Sequence, residues 1–477
     1  MPIIIPANSA GGGYDVDNSV RLNGTSSYLQ KTPSSAGNVR TWTFSTWFKK
    51  SKQSSSAQQK LFSVAGGGSN NFECYFNTND TLAFYQYTSG GTNAFLGTNQ
   101  VFRDTAAWYH LVLAVDTTQG TASNRIKMYV NGEQVTSFST AIYFNQNFDT
   151  FVDSTGQHRI GANLNTSQYF DGYLAETVLI DGQQLAQTDF GEFDGDSGIW
   201  KPKDVSSLTP GTNGFYLDFK ESSNLGNDSF GGTDLTEANL AAIDQSTDTC
   251  TNNFSTWNPL LAMNSTMVIT EGNLSGKTAT NYANGASNCW FSTIGVSSGK
   301  WYAEFKQSAG TNNQGQQLGI GYDLSKFQRG SAVNAFNLGY IAEGWGYLGS
   351  EGRVVNNNGT VISSLATWTI GDIIGIALDM DNYKLYFSKN GSFQNSGDPT
   401  SGATGTGAIS LTTGKTYFFG CSDASLSNTY TFQANFGSPS FSISSGNQDG
   451  NDRGNFEYAV PSGYLAVCTK NLSEANS

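Results

Sequence analysis

Residues 40–50 of the chain are RTWTFSTWFKK, a stretch in which Trp42, Phe44 and Phe48 alternate with smaller or more polar residues. Alternation with a period of two places these three aromatic side chains on one face of a β-strand. The pattern recurs in Gly371–Gly391, GDIIGIALDMDNYKLYFSKNG, where two such strands end in Asn-Gly, the dipeptide favoured by tight hairpin turns. Both halves of the chain are therefore predicted to be built from β-strands.

Similar strand patterns lie on both sides of these two stretches, separated by loops rich in Gly, Asn and Ser. No segment with helical periodicity is longer than about ten residues. Many short strands at such intervals predict an all-β chain of two consecutive β-sandwich or jelly-roll domains. The additional predicted strands are His110–Asp116, Arg125–Val130, Glu176–Ile180, Lys300–Lys306, Gln317–Tyr322, Thr416–Gly420 and Tyr430–Phe436.

The domain boundary is predicted from the stretch DTCTNNFSTWNPL, Asp248–Leu260, whose turn-forming residues and proline are typical of a linker. We expect a first domain over residues 14–244, a linker over 245–262 and a second domain over 263–477. Residues 1–13, MPIIIPANSAGGG, hold three isoleucines between two prolines and cannot form a domain. We predict that they anchor the chain to a neighbouring subunit through main-chain and isoleucine contacts. The alternative is that Ile3–Ile5 forms an edge strand of its own domain.

The composition disfavours several classes of partner. Charged residues make up 13% of the 477 residues, and the net charge is −13. An acidic chain repels phosphate, so we expect neither nucleic acid nor a membrane as partner. Two histidines and five scattered cysteines without a CxxC pair argue against a zinc site or a disulfide framework. We find no signal peptide or membrane span and expect synthesis in a cytoplasm.

Five motifs follow one another over about residues 14–200: VRLNGTSSYL (20–29), WTFSTWF (42–48), WYHLVLAV (108–115), IKMYVNG (126–132) and FDGYLAE (170–176). In this order and spacing they resemble the LamG-like, concanavalin-type jelly rolls. The segment Phe215–Thr236 resembles the opening strand of the same family. We expect it to close the first sandwich from its C-terminal side.

The second half resembles a SPRY domain over about residues 285–440. The resemblance rests on the strand–turn–strand of Gly371–Gly391, supported by Trp301–Phe305, Gly319–Tyr322, Trp345–Tyr347 and Asn435–Gly437. The pairing of the two modules is similar to virion proteins of tailed phages, in which a linker like TNNFSTWNPL and an ending like VPSGYLAVC recur.

The phage resemblance implies a non-enzymatic virion structural protein, a fibre, adhesin or capsid-decorating component that acts in assembly or host-surface attachment. Its implied partners are other capsid or tail proteins, further copies of itself as a homo-oligomer, and a host-surface glycan or protein. One alternative is a secreted bacterial carbohydrate-binding or adhesion protein. Another, a glycan-active hydrolase, is disfavoured by the carboxylate pattern described next.

Catalytic candidates are few. Laminarinase-type glucanases of the resembled fold need carboxylates on one strand face, and the nearest match is EFDGD, with Glu192, Asp194 and Asp196. Its glycines make it a poor strand, so we interpret it as a solvated acidic loop. A Ser-His-Asp triad would need His110, expected to be structural, or His158, expected in a surface loop. We therefore predict no catalytic residues and no cofactor-binding residues.

Calcium is the one metal that the resemblance makes plausible, because jelly rolls of this type often bind it through loop carboxylates and carbonyls. Asp116, Asp153 and Asp171 are in predicted rim loops, but their spacing matches no metal motif, so we assign no metal ligands. Glycan binding needs exposed aromatic side chains. The candidates are Tyr85, Tyr87, Trp345 and Tyr347, of which the last two are expected in a core; the ligand-binding residues stay unassigned.

Overall fold

The computed structural model describes residues 13–54, 56–261, 267–278, 289–310, 315–327, 337–423 and 429–474. The chain divides into two compact units, with the boundary between Asn253 and Phe254. Each unit is built from antiparallel β-sheets packed through their apolar faces, which confirms the predicted fold class. The predicted anchoring segment lies outside the described residues, except for Gly13.

The first unit consists of two large sheets and one small one. Sheet A has the order β10-β9-β8-β3-β13-β1-β18, with β16 also paired to β13. Sheet B has the order β11-β7-β6-β5-β4-β12-β2-β17. The small sheet consists of β14 and β15. The strands are β1 (Ser19–Asn23), β2 (Tyr28–Lys31), β3 (Thr41–Lys50), β4 (Gln59–Ala65), β5 (Asn71–Phe76), β6 (Thr81–Thr88), β7 (Gly91–Val101), β8 (Trp108–Asp116), β9 (Ile126–Val130), β10 (Glu133–Gln134), β11 (Phe138–Ile142), β12 (His158–Ile160), β13 (Asp171–Asp181), β14 (Gly191–Phe193), β15 (Trp200–Pro202), β16 (Phe215–Leu217), β17 (Thr236–Ala238) and β18 (Gln245–Ser246).

The core of the first unit lies between sheets A and B. Trp42 and Phe44, on alternate positions of β3, point into it as their spacing predicts. The ring of Phe44 stacks on Phe62 of β4 at 4.7 Å between centroids, and Trp42 meets Phe72 of β5 edge-on at 5.7 Å. Aromatic contacts of this kind add to the burial energy of each ring and hold the two sheets together.

The predicted closing segment joins both sheets. Strand β16 begins at Phe215 and pairs with β13 of sheet A, whereas β17 begins at Thr236 and pairs with β2 of sheet B. The expectation that Phe215–Thr236 closes the first sandwich from its C-terminal side is therefore confirmed. Strand β18 then pairs with β1, so the first unit continues beyond residue 244.

The second unit is a sandwich of two further sheets. The first, sheet C, has the order β19-β20-β32-β22-β27-β28-β29, with β30 on β28 and β33 on β22. The second, sheet D, has the order β21-β31-β23-β24-β25-β26. The strands are β19 (Val268–Thr270), β20 (Ser275–Lys277), β21 (Cys289–Val296), β22 (Lys300–Ala309), β23 (Gln316–Gly321), β24 (Gly344–Leu348), β25 (Arg353–Asn356), β26 (Gly359–Ile362), β27 (Ile373–Asp379), β28 (Lys384–Lys389), β29 (Ser392–Phe393), β30 (Ile409–Ser410), β31 (Tyr417–Asp423), β32 (Thr431–Asn435) and β33 (Leu465–Ala466).

Helical structure in the described residues is limited to short pieces. The α-helix α1 spans Thr469–Glu474, and the 3₁₀ turns are Ala122–Asn124, Gln187–Asp189, Ala242–Asp244, Pro259–Leu261, Leu324–Phe327 and Pro399–Thr404. Within the part of the chain that the structure describes, no helix is both long and apolar enough to cross a membrane.

The stretch expected to be a linker is packed into the two units instead. Asp248 and Asn253 are buried in the first unit, where both bond to the ammonium of Lys49. Phe254 and Trp257 are buried in the second unit, where Trp257 packs against Phe305. Polar residues that suggested a solvated linker, such as Asp248 and Asn253, make buried hydrogen bonds, so residues 248–258 belong to the packed structure.

Candidate ligand-binding face of the first unit

A row of side chains crosses sheet B on the face turned away from the core. Directly opposed residues of antiparallel strands point to the same face, so the row can be followed from strand to strand. Seven strands spaced about 4.8 Å apart give it a length of about 29 Å. The row, here called the outer face of sheet B, consists of Ile142, Phe95, Tyr85, Glu73, Ser63, Arg159 and Gln30.

Aromatic side chains are concentrated at one end of this face. Tyr85 contacts Phe95 edge-on at 5.8 Å between centroids and stacks on Tyr87 at 6.3 Å. All three rings are partly exposed, and Ile142 beside Phe95 is 42% exposed. Partly exposed rings held in place by one another provide flat apolar surfaces for a ligand at a small cost in conformational entropy. Tyr85 and Tyr87, the predicted candidates, therefore lie together on this face.

Charged side chains occupy the middle of the same face. The ammonium of Lys60 lies 2.7 Å from a carboxylate oxygen of Glu73 and 3.7 Å from the ring centroid of Tyr75. Burial lowers the pKa of the Lys60 ammonium, and the Glu73 carboxylate opposes this shift. Because the two charges neutralise each other and the Lys60 side chain is fully buried, the middle of the face has no strong net field, and of this pair only the 13% exposed Glu73 side chain can reach a ligand.

The acidic motif predicted to be a solvated loop is a hydrogen-bonded turn beside β14. Glu192 is in β14 and is half-exposed, whereas Asp194 and Asp196 lie beyond its end. The carboxylate of Asp194 accepts bonds from the backbone and hydroxyl of Ser197, which hold its pKa at about 2. A permanently ionised, turn-capping carboxylate cannot act as a general acid, so Asp194 cannot protonate a leaving group.

His110 forms a buried pair with a serine, but its tautomer is wrong for catalysis. The indole N–H of Trp200 donates to Nδ1 of His110 at 3.0 Å, which leaves the ring proton on Nε2. Nε2 lies 2.8 Å from Oγ of Ser45 and donates to it, so the ring cannot accept the serine proton. Burial lowers the pKa of His110 to about 3, and the imidazole stays neutral. Its role is structural.

His158 is not in a surface loop, contrary to the sequence prediction. It opens strand β12 and is 3% exposed, and its Nε2 accepts the backbone N–H of Asp153 at 3.1 Å. Nδ1 donates to the carbonyl of Gly156 at 2.8 Å. Burial lowers its pKa to about 4. The ring ties the 153–156 turn to strand β12 of sheet B through two bonds that are local in sequence.

Comparison with family models assigns each unit. Residues 23–187 match the Laminin_G_3 model, described as the concanavalin A-like lectin/glucanases superfamily, and residues 300–415 match the SPRY domain model. The chain contains a LamG-like domain and a SPRY domain. The outer face of sheet B belongs to the LamG-like domain, since all seven residues of the row lie within residues 23–187.

Solved structures with detectable similarity each cover part of the chain. They include the SPRY domain of human HERC1, with 18% identity, 37% of this chain and 96% of that chain covered, and a TM-score of 0.29. A heptameric SAP-like pentraxin from Limulus polyphemus shows 17% identity and a TM-score of 0.28, with 41% of this chain and 100% of that chain covered. A putative carbohydrate binding protein from Bacteroides ovatus shows 14% identity and a TM-score of 0.32, with 48% of this chain and 61% of that chain covered. Among curated proteins there is no significant match.

The three aspartates considered for calcium do not come together in the LamG-like domain. Asp116 caps the turn at Thr118, Asp171 pairs with Lys52 at 2.9 Å, and Asp153 is fully buried. Within the described ranges, no group of three or more histidine, cysteine, aspartate or glutamate side chains could hold a metal ion. Calcium binding stays a prediction without assigned ligands.

The aromatic candidates of the SPRY domain are core residues. Trp345 is 5% exposed and packs on Tyr417 at 5.8 Å, and Tyr347 is fully buried against Phe387 at 5.3 Å. Neither side chain offers a surface to a ligand.

Sequence analysis missed several residues of the outer face of sheet B. Phe95, Glu73, Arg159 and Ile142 come from four strands, and only the pairing register places them in one row with Tyr85. The alternation in TLAFYQYT of β6 predicts that Tyr85 and Tyr87 share one face, and the burial of Leu82 and Phe84 shows that it is the outer face.

Proposed function

We propose that the chain is a non-enzymatic structural protein of a tailed-phage virion, a fibre, adhesin or capsid-decorating subunit that attaches the particle to a host-surface glycan or protein. The observation that carries this proposal is the outer face of sheet B, where Tyr85, Phe95 and Ile142 form a partly exposed apolar row inside a domain of a lectin-containing superfamily. The proposed location in a virion is supported by the similarity of the domain pairing to phage virion proteins.

The composition of this face favours binding over hydrolysis. A glycosidase holds two carboxyl groups about 5–10 Å apart on either side of the scissile bond. Along the row from Ile142 to Gln30, Glu73 is the one carboxylate, and it is bound to Lys60. A neutralised single carboxylate can accept a hydrogen bond from a ligand but cannot supply both an acid and a nucleophile.

Assembly into a particle requires defined contacts between copies. A net charge of −13 makes copies of the chain repel one another, so a homo-oligomer needs a specific interface with apolar or hydrogen-bonded contacts. The other partners are capsid or tail proteins. The protein is made in the host cytoplasm and then becomes part of the virion.

Two measurements test the proposal. Antibodies against the purified chain should label intact particles of the phage that encodes it. Purified particles that the antibodies do not label would contradict the virion role. Incubation with β-glucans should release no reducing sugar. Turnover that disappears in the triple variant Glu192→Ala, Asp194→Ala, Asp196→Ala would overturn the non-enzymatic assignment.

A secreted bacterial carbohydrate-binding or adhesion protein is the second candidate, favoured by the match to the lectin/glucanases superfamily. Such a protein would bind its glycan through the same outer face of sheet B, but it would be secreted by a bacterium and not be part of a virion. Detection of the chain in the medium of bacteria that produce no phage particles would favour this candidate.

A further inference from the structure

A lysine, an asparagine and an aspartate are in mutual contact in the interior of the first unit. The ammonium of Lys49 lies 2.8 Å from Oδ2 of Asp248 and 2.7 Å from Oδ1 of Asn253. The side chains of Lys49 and Asp248 are 2% and 1% exposed, and Asn253 is buried as well. An amine, a carboxylate and an amide carbonyl therefore meet at one point with almost no access to water.

The amide of Asn253 turns its carbonyl toward the lysine. Its Nδ2 donates to the backbone carbonyl of Ala106 at 2.7 Å. A carbonyl only accepts and an ammonium only donates, so the reverse orientation of the amide would lose both hydrogen bonds. Because Oδ1 is about 1.23 Å from Cγ, Nζ of Lys49 lies no more than about 4 Å from the amide carbon. Reacting atoms in productive complexes are about 3–3.5 Å apart, a distance that a small rotation of the amide can reach.

Asp248 is held in the position of a base for Lys49. The indole N–H of Trp108 donates to Oδ1 of Asp248 at 3.0 Å, and Oδ2 faces the ammonium. Transfer of one ammonium proton to Oδ2 converts the ion pair into a neutral amine and a neutral carboxylic acid. Removal of charge is favoured where water is excluded, and a neutral lysine amine is a nucleophile.

Aromatic side chains surround this contact. The ring centroid of Tyr173 lies 5.5 Å from Nζ of Lys49, and Tyr173 is fully buried. Trp108 is 5% exposed and contacts Tyr173 at 6.2 Å between centroids. Such walls keep water away from the amide carbonyl, so the lysine nitrogen is the nucleophile next to it.

We propose that Lys49 and Asn253 join spontaneously in the folded unit through an isopeptide bond, with Asp248 as the proton carrier. The structure holds the three side chains as the reactants. Nζ of the neutral lysine attacks Cγ of Asn253, a C–N bond forms, and the bond between Cγ and Nδ2 breaks. The two protons that Nζ loses pass through Asp248 to Nδ2, which departs as an ammonium ion, and the carboxylate is regenerated. The reaction needs no oxidant and no cofactor.

The cross-link joins the centre of sheet A to the end of the first unit. Lys49 is in β3, and Asn253 is the last residue of the unit, 204 positions further along the chain. A covalent bond across so long a loop restricts the unfolded chain, as a disulfide does, and stabilises the folded unit. This inference goes beyond the proposed function, because the bond requires neither a ligand nor a particle.

Three variants isolate the reaction. Lys49→Met removes the nucleophile, and Asn253→Ala removes the amide that it attacks. Asn213→Ala is the matched control, since Asn213 is also a buried asparagine but its amide donates to two backbone carbonyls. Circular dichroism checks that each variant is folded.

The experiment is mass spectrometry of the purified, denatured full chain and of its tryptic digest. Allowing for removal of Met1, we expect the wild type to be lighter than its sequence by one ammonia molecule. The digest should contain a branched peptide in which Lys49 is joined to Asn253. The same loss should persist in Asn213→Ala and disappear in Lys49→Met and Asn253→Ala.

A wild-type chain with the full mass of its sequence would overturn the proposal. A loss of ammonia that maps to another site, such as a succinimide at an Asn-Gly pair, or that persists in Asn253→Ala would overturn it as well. If a variant does not fold, the wild-type digest decides, because recovery of Lys49 and Asn253 as unmodified side chains contradicts the bond without any substitution.

Discussion

The ammonium of Lys49 lies 2.8 Å from a carboxylate oxygen of Asp248, and both side chains are almost completely buried. Lys49 is in β3, at the centre of sheet A, and Asp248 is in the stretch that joins the two units. The indole N–H of Trp108 donates to the second oxygen of Asp248 at 3.0 Å. This network fixes the C-terminal end of the first unit to its central sheet.

Replacing Asp248 by alanine should lower the free energy of unfolding of the first unit by about 3–5 kcal/mol, because it leaves the Lys49 ammonium buried without its counter-charge. Asp149→Ala is the control, since it removes an exposed ion pair with Arg40 and should cost less than about 1 kcal/mol. Urea unfolding measures both. Equal losses in the two variants would show that the buried pair does not hold this segment.

Mild proteolysis tests the same packing independently. The sequence of residues 248–258 suggests an early cleavage site, but Thr249, Trp257 and Asn258 are buried. A protease must open a segment before cutting it, so we expect the first cuts elsewhere. Mass spectrometry of the earliest fragments gives the answer, and a first cut within residues 248–258 would contradict the structure.

Strand positions could be predicted from sequence where a single face is buried. The alternation of Trp42, Phe44 and Phe48 gives β3, and Asn131-Gly132 and Asn390-Gly391 adopt the positive φ values that their hairpins need. Asp181-Gly182 has the composition of such a turn, but Asp181 remains in β13, where its carboxylate accepts the backbone N–H groups of Asn38, Thr212 and Asn213.

Long-range pairing could not be predicted from local patterns. Polar residues that bond to distant partners, such as Asp248 with Lys49, look the same in sequence as polar residues in a solvated turn. The residues of the candidate site could be predicted only in part for the same reason. Tyr85 and Tyr87 were found from their alternation, whereas Phe95 and Glu73 join them through the register of β5, β6 and β7.

The stability of the first unit should fall as pH rises from about 4.5 to about 8. Burial raises the pKa of Glu176 from its ordinary 4.5 to about 8, and the carboxyl bonds to the hydroxyl of Tyr216 at 2.8 Å. The folded unit then binds a proton that the unfolded chain releases, which removes up to about 1.4 kcal/mol per pH unit across this window. Urea unfolding at several pH values should show this slope in the wild type and its loss in Glu176→Gln. Identical slopes would contradict the buried protonated carboxyl.

Deletion of Met1–Pro6 should leave both units folded, since β1 of the first unit begins only at Ser19 and Tyr14 bonds to Tyr216 at 3.1 Å. If the N-terminal tract is the anchor, the truncated chain should be lost from particles. Circular dichroism checks the fold, and quantitative mass spectrometry of purified particles counts the copies. Incorporation at full copy number would end the anchoring prediction.

The central claim is that the outer face of sheet B attaches the protein to its target, and binding of the purified chain to cells of the phage's host tests it most directly. The double variant Tyr85→Ala, Phe95→Ala removes the aromatic row. Phe193→Ala, which removes a 47% exposed ring on β14, is the control. We predict that the double variant loses at least about 2 kcal/mol of binding free energy, a roughly thirtyfold loss of affinity, while the control binds like the wild type. Unchanged binding by a folded double variant would contradict the account.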